Sequence, residues 1–331
     1  MKSNKLKTMA VAVSMALAGV ANAALVDPDA GGADTARNVG SLDWAASSVL
    51  ITPTGGASVN NPVVGDVFQA YAHASLSAFL DTAGNAIGGL QLNNTYGWSY
   101  IAAFQEQVVS STQGGGLGEV VLNSVAGGDN FFEIYFDPTP GYNPGNGTGF
   151  ANDPTNADAI LILSGTVNSF DSGTLVGQTN FTANGIPRTN PELAKFGVDN
   201  YTNIDSISGT GGGKLNVAVD FFNPTYFTDG APTMIPLTFD TQLNLAFNQT
   251  NPSSCFNNGA GGLIDGAGPN TLGGLECAVN TVGTVNGVNG TNTLLMTDST
   301  ASLNQVPEPV SLALIGLGLG AMGLGLRRRK V

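Results

Sequence analysis

His73 is the only histidine among the 331 residues. A Ser-His-Asp system, or a metal centre built on imidazole, would have to use it. It stands between Ala72 and Ala74 in a stretch that reads as a strand, and the chain has neither a Gly-x-Ser-x-Gly elbow nor a His-Glu-x-x-His helix. We therefore read it as a structural side chain on a strand face. Paired carboxylates are the second candidate chemistry, since two of them can run glycoside hydrolysis. Glu106, Glu119, Glu133 and Glu192 are available, but none lies in a motif. The expectation is a protein that is not an enzyme, with no catalytic residue. The third candidate group is Asp137, Asn143, Asn146 and Asp153, oxygen ligands on a Gly- and Pro-rich stretch. Calcium takes roughly six to eight such oxygens, often from loops. Their spacing fits neither an EF-hand loop nor a Gly-Gly-x-Gly-x-Asp repeat. Loop solubility explains the same composition and is favoured, which leaves these four as candidate calcium ligands and no other cofactor.

The thiol inventory is Cys255 and Cys277. In an oxidising compartment the default is a disulfide, here closing a 23-residue loop rich in Gly and Asn. Such a crosslink contributes about 2–4 kcal/mol by restricting the unfolded chain.

The chain ends supply that compartment. Lys2, Lys5 and Lys7 precede an apolar run from Met9 to Val20, and Ala21-Asn22-Ala23 comes next. This is the pattern of a secretory signal peptide, with cleavage expected between Ala23 and Ala24. At the other end Val306-Pro307-Glu308-Pro309 leads into 17 uncharged residues, Val310 to Leu326, and then Arg327-Arg328-Arg329-Lys330. As a helix that run would be about 25 Å long, the short end of what crosses a bilayer. The basic cluster would mark the cytoplasmic side.

These tail residues resemble the PEP-CTERM sorting signal of Gram-negative, exopolysaccharide-producing bacteria. The resemblance implies recognition by an exosortase, an integral-membrane cysteine peptidase that cuts near the Pro-Glu-Pro motif. It also implies transient inner-membrane anchoring, then a place at the cell surface or in the extracellular matrix. Within the body, Val39-Gly-Ser-Leu-Asp-Trp44, Gly65-Asp-Val-Phe-Gln-Ala-Tyr71 and Phe132-Glu-Ile-Tyr-Phe-Asp137 resemble flocculation-associated PEP-CTERM proteins. That likeness implies a role with exopolysaccharide and carries no catalytic residue.

Between the two ends, residues 24–306 hold only Arg37, Arg188, Lys195 and Lys214 against 23 carboxylates, a net of −19 compared with −13 for the whole chain. A surface of that sign repels nucleic acid, for which basic patches supply most of the affinity. It suits a soluble exported protein that meets divalent cations or neutral polymers.

The elements that position these residues read as strands. Leu215, Val217, Val219 and Phe221 alternate with polar or small residues, as do Leu243, Leu245 and Phe247. Phe131–Phe136, Ala159–Leu163, Ser47–Thr52, Ser99–Val109 and Gly118–Leu122 are further strands, separated by Gly, Asn, Pro and Asp. Asp66–Leu80 fits either period and is read as a strand, while Glu192–Phe196 fits one helical turn. Long amphipathic helices are missing, so the fold class is all-β, an antiparallel β-sandwich or jelly roll. The divisions are a signal peptide (1–23), a β-rich domain (24–250), Gly/Asn/Thr-rich loops with the disulfide and a flexible spacer (251–305), and the sorting tail (306–331). The function expected is non-catalytic, in exopolysaccharide-associated flocculation or biofilm. The rivals are a polysaccharide-modifying hydrolase or lyase and a structural envelope or appendage subunit.

Overall fold

The computed structural model describes residues 23–59, 61–114, 117–142, 149–150, 157–178, 208–230, 232–242 and 291–303, with short pieces between 256 and 277. Among them fifteen strands succeed one another: β1 Ala24–Val26, β2 Arg37–Val39, β3 Ser41–Thr54, β4 Val67–Leu80, β5 Gly97–Gly114, β6 Leu117–Val125, β7 Phe131–Asp137, β8 Ile160–Gln178, β9 Ser208–Phe222, β10 Met234–Gln242, β11 Phe256–Asn257, β12 Leu263–Ile264, β13 Asn270–Leu272, β14 Leu275–Cys277 and β15 Thr293–Ser302. There is no helix among the described residues. The all-β, antiparallel class expected from the sequence is therefore the class of the fold.

Nine strands form one sheet in the order β4-β3-β15-β10-β9-β8-β6-β5-β7, and β4 also pairs with β5 and β8 with β7. Those extra pairings close the sheet into a ring. β6 and β7 share one position in it: the first half of β8 pairs with β7 (Phe136↔Ile160 to Phe132↔Gly165), the second half with β6 (Leu122↔Gly173 to Gly118↔Gly177). The two layers of the expected sandwich are thus opposite walls of a single closed sheet, which removes the free edges that invite aggregation.

Alternation decides what fills the ring. Along β10, Ile235 and Leu237 are fully buried while Met234 and Thr238 are exposed. Across β4 and β5, the paired residues Ala70↔Phe104, Ala72↔Ala102 and Ala74↔Tyr100 share the inner face. Trp44, Trp98, Tyr100, Phe79 and Phe132 are the large buried side chains. Trp44 meets Tyr100 edge-on at 4.9 Å, and Trp98 meets Phe79 edge-on at 5.1 Å. An apolar interior is the reverse of a barrel whose outer face meets lipid.

Two parts of the sequence reading change here. Ala159–Leu163 was expected to stop at Ser164-Gly165, yet β8 runs on to Gln178. Gly165 acts as a point of close approach rather than a terminator: a Cβ there would lie 2.2 Å from the Ala218 carbonyl oxygen on β9. The second change is larger. The 251–305 segment, read as loops and spacer, contains β15, which pairs with β3 on one side and β10 on the other. β15 is rich in Ser and Thr, but Leu294, Ala301, Thr297 and Ser299 are all buried, and the Ser299 hydroxyl lies 3.3 Å from the Tyr100 hydroxyl. Small polar residues fit there because the facing strands already supply Trp44 and Tyr100. The strand expected at Leu243–Phe247 and the helical turn at Glu192–Phe196 lie outside the described residues.

Candidate functional site: the cap end of the barrel

β3 starts at one end of the ring, β4 returns to it, and β9 and β15 finish there. That end is closed by a cap made from β1, β2 and the turn after β9. β1 pairs with β2 (Ala24↔Val39 to Val26↔Arg37), and on its other side the Asp27 amide donates to the Tyr226 carbonyl at 2.8 Å. Asp27-Pro28-Asp29-Ala30-Gly31-Gly32 carries the turn chemistry: Ala30 and Gly31 have positive φ, and the Asp29 carboxylate accepts from the Gly32 and Asp34 amides. Asp34 is buried and accepts from the Gln91 amide at 2.7 Å and the Tyr96 hydroxyl at 2.8 Å. The Trp98 indole N–H donates to the Pro28 carbonyl at 2.8 Å, which locks the cap to the barrel interior.

Both ends of the described body meet in this cap. Ala24 is fully buried against Val39. Leu303 is fully buried too, and its amide donates to the Gly40 carbonyl at 2.9 Å. The Gly40 amide in turn donates to the Leu80 carbonyl. A Cβ on Gly40 would sit 2.7 Å from the Asp81 carbonyl oxygen, so only glycine admits this junction. Val39 and Gly40 are therefore the place where the first and last strands are held together. The sequence marked Gly40 only as part of the Val39–Trp44 resemblance and not as a junction, because one glycine before a strand is ordinary punctuation.

The other predicted residues scatter. His73 faces outward from β4 in a row with Ile101 and Glu133. It is buried, two phenylalanine rings stack on it (Phe150 at 4.2 Å, Phe256 at 4.7 Å), and its Nε2 has no hydrogen-bond partner. Glu106 alternates with Ile101 and faces the interior beside Phe68. Glu106 and Glu133 thus lie on opposite faces of the wall. Glu133 is half-buried and accepts from the Tyr135 hydroxyl at 2.8 Å, and its pKa is raised, chiefly by burial. Glu119 is exposed, and Glu192 lies outside the described residues. Trp44 and Trp98 are inside the core.

Asp137 is buried, and its Oδ1 accepts from the Thr139 amide at 2.7 Å. Its partners in the calcium expectation, Asn143, Asn146 and Asp153, lie outside the described residues. Among the described residues no three His, Cys, Asp or Glu side chains converge on a common point. The disulfide expected between Cys255 and Cys277 also lies outside them, since only the backbone of Cys277, in β14, is described. So do Val306–Pro309, the cluster Arg327–Lys330 and the signal peptide up to Asn22. Of the predicted cleavage pair, Ala23 precedes β1 and Ala24 opens it.

Two buried groups tilt stability with pH in opposite directions. Burial raises the Glu106 pKa from 4.5 to about 7 and lowers that of His73 from 6.5 to about 3. Between about pH 4.5 and 7 the native state holds the extra proton through Glu106, so that contribution to stability falls as pH rises. Between about pH 3 and 6.5 the unfolded state holds the extra proton through His73, so its contribution rises. The two slopes oppose each other where they overlap. Glu106→Gln should unmask the His73 slope and raise stability at pH 8 by on the order of 3 kcal/mol. Urea unfolding across a pH series reads this, and a profile unchanged from the parent chain would mean that Glu106 is not desolvated.

The fold and its cap define a closed antiparallel barrel whose last strand leads directly into the C-terminal segment. Residues 305–330 of that segment match the family model of the PEP-CTERM protein-sorting motif. The chain thus carries the motif of an exported, exosortase-sorted protein. No curated protein and no solved structure matches the chain.

Proposed function

We propose that this protein is a non-catalytic component of the cell surface or extracellular matrix, acting in exopolysaccharide-associated flocculation or biofilm. The observation that carries the reading is the sorting motif joined to a strongly acidic body. In this account the chain is exported by its signal peptide, held by the apolar run Val310–Leu326, and processed near Pro307. Its amide- and hydroxyl-rich surface then binds polymer directly, or through divalent cations shared between its carboxylates and acidic sugars. The separation of Glu106 from Glu133 by the sheet favours binding over hydrolysis, because a glycosidase pair flanks one bond.

Deleting the gene should abolish floc or biofilm cohesion while polymer synthesis continues. Intact-mass analysis of the secreted chain should give a start at Ala24 and an end near Pro307. Unchanged aggregation in the deletion strain would defeat the matrix role, and a terminus still at Val331 would defeat the sorting route.

A further inference from the structure

We infer that the cap end of the barrel is the surface that docks on the exported face of the exosortase while the tail is processed; this rests on the sorting reading above. Leu303 is the last residue fixed to the body, through its buried side chain and its bond to Gly40. Only Asn304 and Gln305 separate it from Val306. At 3.8 Å between successive Cα atoms, three steps place Val306 within about 11 Å of Leu303. The membrane-directed run at Val310 begins within about 27 Å of the same point. The N-terminal residue left by signal cleavage, Ala24, is buried in the same cap. A peptidase that reaches the motif therefore has the cap against it.

The charge of the cap selects a protein face over lipid. Asp27, Asp29, Asp81 and Asp229 lie at or near its surface, and Arg37 is its one cationic side chain among the described residues. The Arg37 guanidinium donates to the Thr35 carbonyl at 3.1 Å. Anionic headgroups would be repelled by this end, whereas a basic patch on the peptidase would be steered to it. The opposite end, where β3 finishes and Val63 and Val64 are exposed, is about 40 Å away along the strand.

The test places a photo-crosslinking amino acid in the full-length chain at exposed cap positions, Ala33 or Thr82, or at Val64 on the far end. Each variant is co-expressed with an exosortase whose nucleophile is replaced, and in parallel with the active enzyme. The expected result is exosortase adduct from Ala33 and Thr82, diminished by added salt, and none from Val64. Equal adduct from both ends, or adduct to lipid alone from the cap, overturns the docking. If the active enzyme removes the tail while both cap positions stay silent, the docking fails and the sorting reading survives. A tail that the active enzyme leaves intact sinks the sorting reading itself, and the inference with it.

Discussion

A chain that ends at Asn292 should not fold, although the body loses little more than the ten Ser- and Thr-rich residues of β15. β15 lies inside the ring, hydrogen-bonded from Leu294↔Leu50 to Ser302↔Ser41 on one side and from Leu237↔Ala301 to Thr241↔Thr297 on the other. Its removal takes Leu294, Ala301 and Leu303, each essentially inaccessible, out of the core. It also opens the ring, leaving β3 and β10 as two long unpaired edges, the geometry that templates aggregation. Small domains keep only about 5–15 kcal/mol of net stability, less than the burial and pairing lost here. The comparison is the mature body 24–303 against 24–292. The longer chain should unfold cooperatively, while the shorter should aggregate or show no transition. Equal thermal midpoints would return residues 293–302 to the status of a spacer.

The second large effect is expected at Trp98. Its ring is fully buried, set edge-on to Phe79 at 5.1 Å, Tyr226 at 6.1 Å and Phe227 at 6.0 Å, and its N–H holds the Pro28 carbonyl. Tyr226 and Phe227 belong to the turn that pairs with β1, so this one side chain joins the core to the cap. Trp98→Ala removes both packing and the bond, and should cost about 3–5 kcal/mol. Trp98→Phe keeps part of the packing but leaves the Pro28 carbonyl without its donor, a cost of about 1–3 kcal/mol. Denaturant midpoints give the totals. Hydrogen exchange at the Asp27 and Leu303 amides should show that the cap loosens first. Uniform loss of protection across the barrel would mean that Trp98 supports the core alone.

Strand identity was legible where one face is buried and the other is not. Leu215 and Val217 alternate with Asn216 and Ala218, and they are buried as the alternation requires. β4 was ambiguous for a physical reason: from Phe68 to Ala74 both of its faces are buried, the inner by the core and the outer by the turn at Asp129 and the rings of Phe150 and Phe256. A strand covered on both sides loses its period of two. β10 was missed because Pro236 reads as a strand breaker. Its ladder to β15 begins at Leu237, one residue beyond that proline, so the missing N–H lies where the β15 pairing has not yet begun.

The sequence by itself determined where the protein goes. The sorting motif is a short linear string, so residue order alone carries the match at residues 305–330. Charge is equally independent of fold, and the acidity of the body comes from counting residues. Only the tertiary structure decided that β15 belongs to the ring, that Glu106 and Glu133 face opposite ways, and that Ala24 and Leu303 meet at Gly40. Each of these rests on pairing between residues far apart in the chain, such as Thr293 with Ile51. Local pattern fixes which face of a strand is apolar, while the choice of neighbour is made by closing the ring and filling its interior.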